Sequence, residues 1–423
     1  MPLRSSEPLA VAVDLGTTTL AASLVILATG ERLAAAGCLN PQREFGADVV
    51  SRLDAACRSD EAAHRMADLV RRELARLTDE LLSNAAASPD SLRTIAVAGN
   101  PAMEHLLLGL PVRSLAFPPY RPLFTAGRRG PAADFGWDSS ADVYLFPLPG
   151  GFVGGDTVAF LLGVHDPASL SAARLYLDLG TNGEIALAAG GRLLATSAAA
   201  GPAFEGGNLA CGMAALPGAI SRVTLGGERL AITTVGGRPA TGICGSGVLD
   251  TISLLREQGV IDATGRLLPA AEIASSLGNR VTEVGGAPAF ILHRDATRTV
   301  WLSQEDIRQV QLAKGAIRAG MEVLFERAGI RGDEVAEVLL TGSFGAVLDP
   351  RSLKNVGIFT EKMVQTSGFI REGALCGIER ALRSPEGLTA ADRLADGIRV
   401  IPLSGTPAFE KHFLEHINFP QTD

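Results

Sequence analysis

Two stretches of the chain share one pattern of apolar and polar positions. Residues 11–26 run through an apolar, β-rich segment to Asp14, cross a polar turn at Gly16, Thr17, Thr18 and Thr19, and continue into a second apolar segment. Residues 175–187 repeat the plan, with Asp178, then Gly180, Thr181, Asn182, Gly183 and Glu184, then another apolar run. Each copy reads as a β-hairpin, because glycine permits a tight turn and the flanking apolar residues suit strands. A further strand over 32–39 extends the first hairpin into a meander, and one over 193–200 does the same for the second.

Helical periodicity fills much of the remainder. A helix is expected over 47–57 and a longer one over 61–84, where Met66, Leu69, Val70, Leu74, Leu77 and Leu81 recur at three and four residues, with Arg71, Arg72, Arg76 and Glu80 between them. Ser303 to Asp306 is a capping-box start for a helix reaching residue 328, its stripe made of Ile307, Val310, Ala313, Ile317, Met321, Leu324 and Phe325. Lys314 falls on the more polar side of that helix, near the edge of the stripe. Apolar strands near 91–99 and 337–341 stop at Gly99-Asn100-Pro101 and at Gly342-Ser343-Phe344-Gly345. Loops at the ends of parallel strands are where α/β sheets place ligands, which makes Asn100 a secondary candidate. His105, among leucines on a short helix, reads as a core histidine.

A strand over 144–147 leads to Gly154-Gly155-Asp156, which opens a helix. Asp156 is there either a helix cap or a carboxylate aimed at a metal or a water. Residues 111–140, rich in Pro, Arg and Gly, read as an excursion over the surface. A helix is expected over 373–382. A terminal strand over 398–402 and Phe409, Phe413, Ile417 and Phe419 supply apolar residues for docking the tail on the body.

Composition narrows the class. In 423 residues, 47% are hydrophobic and 20% charged, material enough for two or three globular domains. The formal charge of −8 comes without a basic run, which argues against nucleic acid as a partner. No apolar run approaches about 18 residues, so no membrane span is expected, and the start has no signal-peptide core. A cytoplasmic location follows as the expectation. The five cysteines, at 38, 57, 211, 244 and 376, are scattered without a C-x-x-C pair, so disulfides, zinc and an iron–sulfur cluster all lack their ligand spacing.

The two turns carry the candidate chemistry. Each presents backbone N–H groups and hydroxyls to an anion, and a carboxylate beside an anion implies an intervening cation or water. Facing each other, they would hold a nucleotide's phosphates from both sides. Gly245-Ser246-Gly247 at a helix start is either a phosphate or ribose contact or a tight turn without a ligand. The small-residue loop around Phe204, Glu205 and Asn208 suggests close approach to a ligand or partner.

The ordered set of Asp14-Leu15-Gly16-Thr17, Asp178-Leu179-Gly180-Thr181 and Thr341-Gly342-Ser343-Phe344-Gly345 resembles the acetate and sugar kinase, Hsp70 and actin (ASKHA) superfamily. The resemblance implies an α/β fold of two duplicated ribonuclease H-like lobes, with mixed sheets flanked by helices and an ATP cleft between them. Lobes over 1–165 and 166–395 and a docking segment over 396–423 are expected. Asp14 to Thr19 would match the first phosphate motif, Asp178 to Glu184 the second, and Gly342, Ser343, Phe344 and Gly345 the adenosine motif. Asp156 sits about where the Hsp70 branch has an acid that orients metal or water.

Within that superfamily, Asn40-Pro41-Gln42, Gly99-Asn100-Pro101-Ala102-Met103-Glu104-His105, Gly154-Gly155-Asp156, Gly201 to Gly206 and Gly242 to Gly247 look like the ATPase module of the reductive activators of corrinoid proteins. The resemblance implies ATP-dependent reactivation of a corrinoid protein, Co(II) to Co(I), in a cobalamin-dependent methyltransferase system. Asp14 and Asp178 would hold Mg²⁺ through water, the two turns would bind ATP phosphates, Asp156 would orient the attacking water, and Ser197, Glu205 and Asn208 would face the corrinoid protein. Relatives that act unaided carry an iron–sulfur domain, whereas the module here begins near residue 8. No iron–sulfur cluster in this chain and a separate electron donor are therefore expected, and a homodimer is a superfamily-level expectation. A small-molecule kinase on the same fold and a non-catalytic ATP-binding scaffold or sensor are the competing readings. An activator of 2-hydroxyacyl-CoA dehydratases is disfavoured, since those need cluster-binding cysteines.

Overall fold

The computed structural model describes residues 7–165, 172–227, 229–342, 348–384 and 386–421. They form two compact units: Met1–Ser169 with Arg371–Val400, and Leu170–Ile370 with Ile401–Asp423. No helix among the described residues is long and apolar enough to cross a membrane.

The first unit is built on a six-stranded sheet of β1 (Leu9–Leu15), β2 (Thr19–Ile26), β3 (Arg32–Leu39), β4 (Leu92–Gly99), β5 (Arg128–Pro131) and β6 (Asp142–Leu145), in the order β3-β2-β1-β4-β6-β5. The expected meander is present: β1 pairs antiparallel with β2, and β2 with β3. β4 joins β1 in parallel and β6 joins β4 in parallel. β1 and β4 are buried along almost their whole length, as expected of apolar strands covered on both faces. On one face lie α1 (Val49–Arg58) and α2 (Asp60–Asn84), the latter burying Met66, Val70, Leu74, Leu77 and Leu81 as its spacing predicts. α3 (Pro101–Leu108) follows β4, and α4 (Arg113–Ala116) is a single turn.

The other face is covered by α5 (Gly155–Val164) and by the helix Gly373–Leu382, which returns to this unit from far along the chain. These two helices meet backbone to backbone. A Cβ on Gly377 would lie 1.7 Å from the Ala159 carbonyl oxygen, and one on Gly163 would lie 3.1 Å from Gly377 Cα. Polar ties hold the same helix to the meander: Ser23 Oγ donates to Glu379 at 2.5 Å, and Arg32 pairs with Glu379 and Glu372, each at 2.7 Å.

The second unit repeats the plan with β7 (Ala173–Leu179), β8 (Gly183–Ala189) and β9 (Arg192–Ala198) as the meander. Two smaller sheets follow, β10 (Ala219–Gly226) with β11 (Arg229–Thr234) and β12 (Gly242–Ile243), then β13 (Val281–Val284), β14 (Ala287–Arg294) and β15 (Thr299–Ser303). β16 (Val335–Thr341) then pairs in parallel with β7, and β17 (Ser367–Phe369) in parallel with β16, giving the order β17-β16-β7-β8-β9. The meander joined by a parallel strand is common to both units, so each is a mixed α/β lobe of ribonuclease H-like type. α6 (Gly245–Glu257) and α7 (Gln304–Ala328) pack in this unit, α7 starting at the expected capping box of Ser303 and Asp306.

Two expectations are corrected. The Pro- and Gly-rich stretch 111–140 is not only a surface excursion, since β5 within it closes the edge of the first sheet against β6. Its sequence, Arg128-Arg129-Gly130-Pro131, carries no apolar alternation because an edge strand has few neighbours to pack against, and proline is tolerated there. Lys314 is not on a polar flank: it is 1% exposed, donates to the carbonyls of His416 and Asn418, and lies over the Phe419 ring. The tail covers that edge of α7, which burial of Phe413 and Phe419 requires and the helical spacing of α7 does not reveal.

The helix contact is open to test. Gly377→Ala is expected to destabilise the protein by about 2–3 kcal/mol, because the new methyl meets a backbone oxygen that has no room to yield, whereas Gly163→Ala costs less. Urea unfolding midpoints of both variants would measure this, and equal midpoints for Gly377→Ala and the parent would refute the close contact.

Candidate functional site

In the first unit, three strand ends carry the candidate residues. β1 and β4 run in parallel with Asp14 opposite Ala98 and Leu15 opposite Gly99, so the turn after β1 and the turn after β4 emerge side by side. β6 ends with Leu145 opposite Val97, two residues before the end of β4, and leads to the start of α5. Asp14 is the penultimate residue of β1 and half-buried. At Gly16 a Cβ would sit 2.5 Å from the Thr19 carbonyl oxygen, so only glycine closes this turn. Thr17 is buried, Thr18 half-buried, and Thr19 begins β2 exposed.

Two asparagines hold this turn in shape. Asn40 caps the short helical turn after β3 and donates from Nδ2 to the Gly16 carbonyl at 2.9 Å, while its backbone N–H donates to the Thr18 carbonyl at 2.9 Å. Asn100 caps α3 by accepting from Met103 N–H at 3.0 Å and donates to Thr17 Oγ1 at 2.9 Å. Each asparagine precedes a proline, which starts a helix without needing an N–H partner. Asn100 was legible as a strand-end residue; Asn40 was named only within a family motif and given no role, although the shared Asn-Pro pair was its signal.

Asp156 lies within the first turn of α5, whose cap is Gly154, and its carboxylate accepts from the Thr157 N–H at 2.7 Å. Gly154 is required by a close approach, since a Cβ there would lie 2.5 Å from Asn100 Cα and 2.9 Å from Asp156 Oδ1. Although Asp156 retains some solvent contact, the surrounding protein pushes its carboxyl up to about 6. Beside it is Glu104, fully buried, accepting from the Gly99 N–H at 3.1 Å, with its second oxygen lacking a hydrogen-bond partner. Burial drives the Glu104 carboxyl well above the usual carboxylate range, and the negative charge of Asp156 adds to the effect. Two adjacent acids whose ionisation is opposed in this way make this a candidate functional position. Glu104 had no role in the sequence reading; an acid inside the apolar run of α3 was the available sign.

In the second unit, Asp178 is penultimate in β7 and lies opposite Thr341 of the parallel strand β16. The turn is closed by Gly180 N–H donating to the Asn182 carbonyl at 3.0 Å. Thr181 Oγ1 donates to Glu205 Oε2, so the residue nominated for partner contact is tied to the second turn. Ser197 stands across from Glu184 on adjacent strands and donates to its carboxylate at 3.2 Å. Asn208 is exposed, with a left-handed φ of 56°. Gly342 has a φ of 137°, while Ser343, Phe344 and Gly345 lie outside the described residues.

Several glycines here serve close packing. A Cβ at Gly183 would lie 1.7 Å from Ile317 Cδ1, at Gly245 1.6 Å from the Phe204 oxygen, and at Gly247 2.2 Å from the Ile220 oxygen. Ser246 is buried and donates to the Ser221 carbonyl at 2.7 Å.

Comparison with known proteins adds the following. Residues 172–423 match the family described as the C-terminal domain of RACo, the ASKHA domain, and residues 9–165 match the RACo middle region. The corrinoid activation enzyme RamQ of Eubacterium limosum is 30% identical over 417 residues, covering 97% of this chain and 70% of that protein. A Methanosarcina barkeri protein named [Co(II) methylated amine-specific corrinoid protein] reductase is 26% identical over 393 residues, covering 84% of this chain and 67% of that one. The solved structure of a reductive activator for a corrinoid, iron–sulfur protein superposes with a TM-score of 0.89 at 28% identity, covering 100% of this chain and 67% of that one.

The raised Asp156 carboxyl sets a pH dependence. Its folded value of about 6 stands above the ordinary 3.8, so between them the native state holds the extra proton and stability falls as pH rises through this window. Asp156→Asn removes that cost and is expected to be more stable than the parent by about 1 kcal/mol near neutral pH, after allowance for partial solvation, with the gap closing towards about pH 4. Paired urea titrations at the two pH values would show it; an equal gap at both would be inconsistent with a raised carboxyl.

Proposed function

This chain belongs to the RACo family, and from that membership we propose that it uses ATP to support return of a corrinoid protein's cobalt from Co(II) to Co(I) in a cobalamin-dependent methyltransferase system. The observation that carries the proposal is the likeness to the corrinoid activation enzyme over 97% of the chain, joined to an Asp-Leu-Gly-Thr turn at the same strand position in each unit.

The residues fit a magnesium–nucleotide ligand. Gly16 lets the turn close tightly on the Thr19 carbonyl, which leaves its N–H groups and hydroxyls at the end of β1, and the nearby carboxylates are hard oxygen donors of the kind Mg²⁺ takes. In this reading the lobe with the first phosphate motif is residues 1–165 together with the returning segment Arg371–Val400, the lobe with the second motif is the rest of 166–395, and the end of the chain docks on the body. Asp14 and Asp178 hold the metal through water, and the 16–19 and 180–184 turns bind phosphates with their N–H groups and hydroxyls. When bound, the magnesium nucleotide supplies phosphate charge neutralisation and the free energy of hydrolysis. Asp156, with its raised carboxyl, is suited to orient a water and to take up its proton. Gly342 and the residues after it receive adenosine, and Gly245 to Gly247 lie at its ribose side.

The reduction is uphill, so nucleotide-dependent docking must favour the reduced corrinoid state by differential binding. Ser197, Glu205 and Asn208 are assigned to the corrinoid-facing loop, and Glu205 would report nucleotide state there because Thr181 holds it. In the same reading a separate protein supplies the electron. A cytoplasmic setting and a C2 homodimer complete the proposal.

Asp14→Asn and Asp178→Asn are each expected to lower corrinoid-stimulated ATP hydrolysis by about 100-fold or more, with far-ultraviolet circular dichroism unchanged. The direct test follows the Co(II) and Co(I) absorption bands of candidate corrinoid proteins with an artificial reductant, with and without this protein and ATP. Unaltered hydrolysis in both variants, or no ATP-dependent change in the cobalt bands with any candidate, would defeat the proposal.

A further inference from the structure

The tail helix Pro407–His416 lies along α7 in the second unit, its Phe413 ring 3.3 Å from where a Cβ on Gly315 would stand. Phe409 and Phe413 provide its apolar contact. Its flank carries His412, Glu415 and His416, a spacing of three and four residues that puts both imidazoles on one side, one turn apart. Their rings stack with centroids 6.4 Å apart and 19° between planes. Opposite them α7 presents Glu322 and Glu326, also one turn apart. His412 Nε2 is 3.3 Å from Glu326 Oε2, and His416 Nε2 is 3.9 Å from Glu322 Oε1.

The geometry leaves one contact that ion pairing does not resolve. His412 Nδ1 is buried, 3.3 Å from Glu415 Oε2, and has no hydrogen-bond partner. If Nε2–H donates to Glu326, Nδ1 turns a lone pair towards a carboxylate oxygen, so acceptor faces acceptor. Two imidazoles one turn apart, each facing a carboxylate of α7, with Glu415 beside them, are an arrangement that a cation completes. A cavity of about 470 Å³ opens beside His412, lined also by Glu322, Glu326, Ile330 and Arg331, and provides an approach.

We propose that His412, Glu415 and His416 form a binding site on the tail helix, beside Glu326 of α7, for a borderline divalent transition-metal ion of the Zn²⁺ class. The ligand atoms of the three residues already lie within 4.8 Å of one another. Bonds of about 2.0–2.2 Å need ligand atoms somewhat closer than that, which side-chain rotation supplies. Two imidazoles and a carboxylate leave a fourth position for Glu326 or a water. The mixed nitrogen and oxygen set favours Zn²⁺ over Mg²⁺ or Ca²⁺, so this site is distinct from one that accompanies nucleotide phosphates.

The test uses the full chain without an affinity tag, stripped with chelator. Equilibrium dialysis against Zn²⁺ is expected to give about one bound equivalent, and Co²⁺ is expected to develop the visible absorption of a low-coordinate nitrogen and oxygen site. The double variant His412→Ala, His416→Ala and the milder Glu415→Gln are expected to weaken Zn²⁺ binding about tenfold or more, while His293→Ala, in an exposed hairpin, leaves it unchanged. Failure of the parent to bind stoichiometric Zn²⁺, or Zn²⁺ binding by Glu415→Gln equal to the parent's, would overturn the site. Glu415→Gln alters one half-exposed side chain, so its result does not depend on whether the double variant folds.

Discussion

The parallel pairing of one strand against the first strand of a meander is the constraint on which the rest depends. In the first unit β4 runs beside β1 with Ala98 level with Asp14, and in the second β16 runs beside β7 with Thr341 level with Asp178. A parallel partner brings its own C-terminal end to the same edge as the hairpin turn. An antiparallel partner would bring its N-terminal end instead. The carboxylate, the hydroxyl turn and the next loop are therefore gathered by hydrogen-bond register before any side chain makes a specific contact.

Register alone would leave a loose edge, and the first unit tightens it with close backbone approaches and buried polar groups. Asn40 and Asn100 spend their amides on the Gly16 to Thr18 turn, and Gly154 lets the start of α5 come against Asn100. Behind that edge, the contact of Gly163 with Gly377 seats a distant helix against α5. The result is a pocket dry enough to hold Glu104 without a partner for one oxygen and to raise Asp156. Burying these acids costs folding free energy that the surrounding packing offsets. The second unit spends its close approaches differently, placing Gly245 and Gly247 against backbone oxygens and tying Glu205 to the turn.

Much of this was legible before the fold. The hairpins at Asp14 and Asp178, the helix from Ser303 and the strand at Leu92–Gly99 are recovered within a few residues, because each has an apolar period together with a turn or cap residue at its end. The resemblance to the reductive activators of corrinoid proteins was legible too, since its short motifs lie in exposed-backbone turns where residue type is dictated locally. The edge strand Arg128–Pro131 and the two three-stranded sheets were not, for short strands with few packed neighbours carry little alternation.

The sequence by itself therefore determined the duplicated plan, the carboxylate-bearing turns and the family, all of which rest on interactions between residues close in the chain. Only the tertiary structure decided that Arg371–Val400 returns to the first unit, that Lys314 is buried under the tail, that Glu104 stands beside Asp156, and that His412 and His416 meet Glu326 and Glu322. These pairings join residues tens to hundreds of positions apart. Each exists because packing an apolar neighbour, whether Phe419, Phe413 or the α5 helix, carries the polar group along with it, and no local pattern records which partner it will meet.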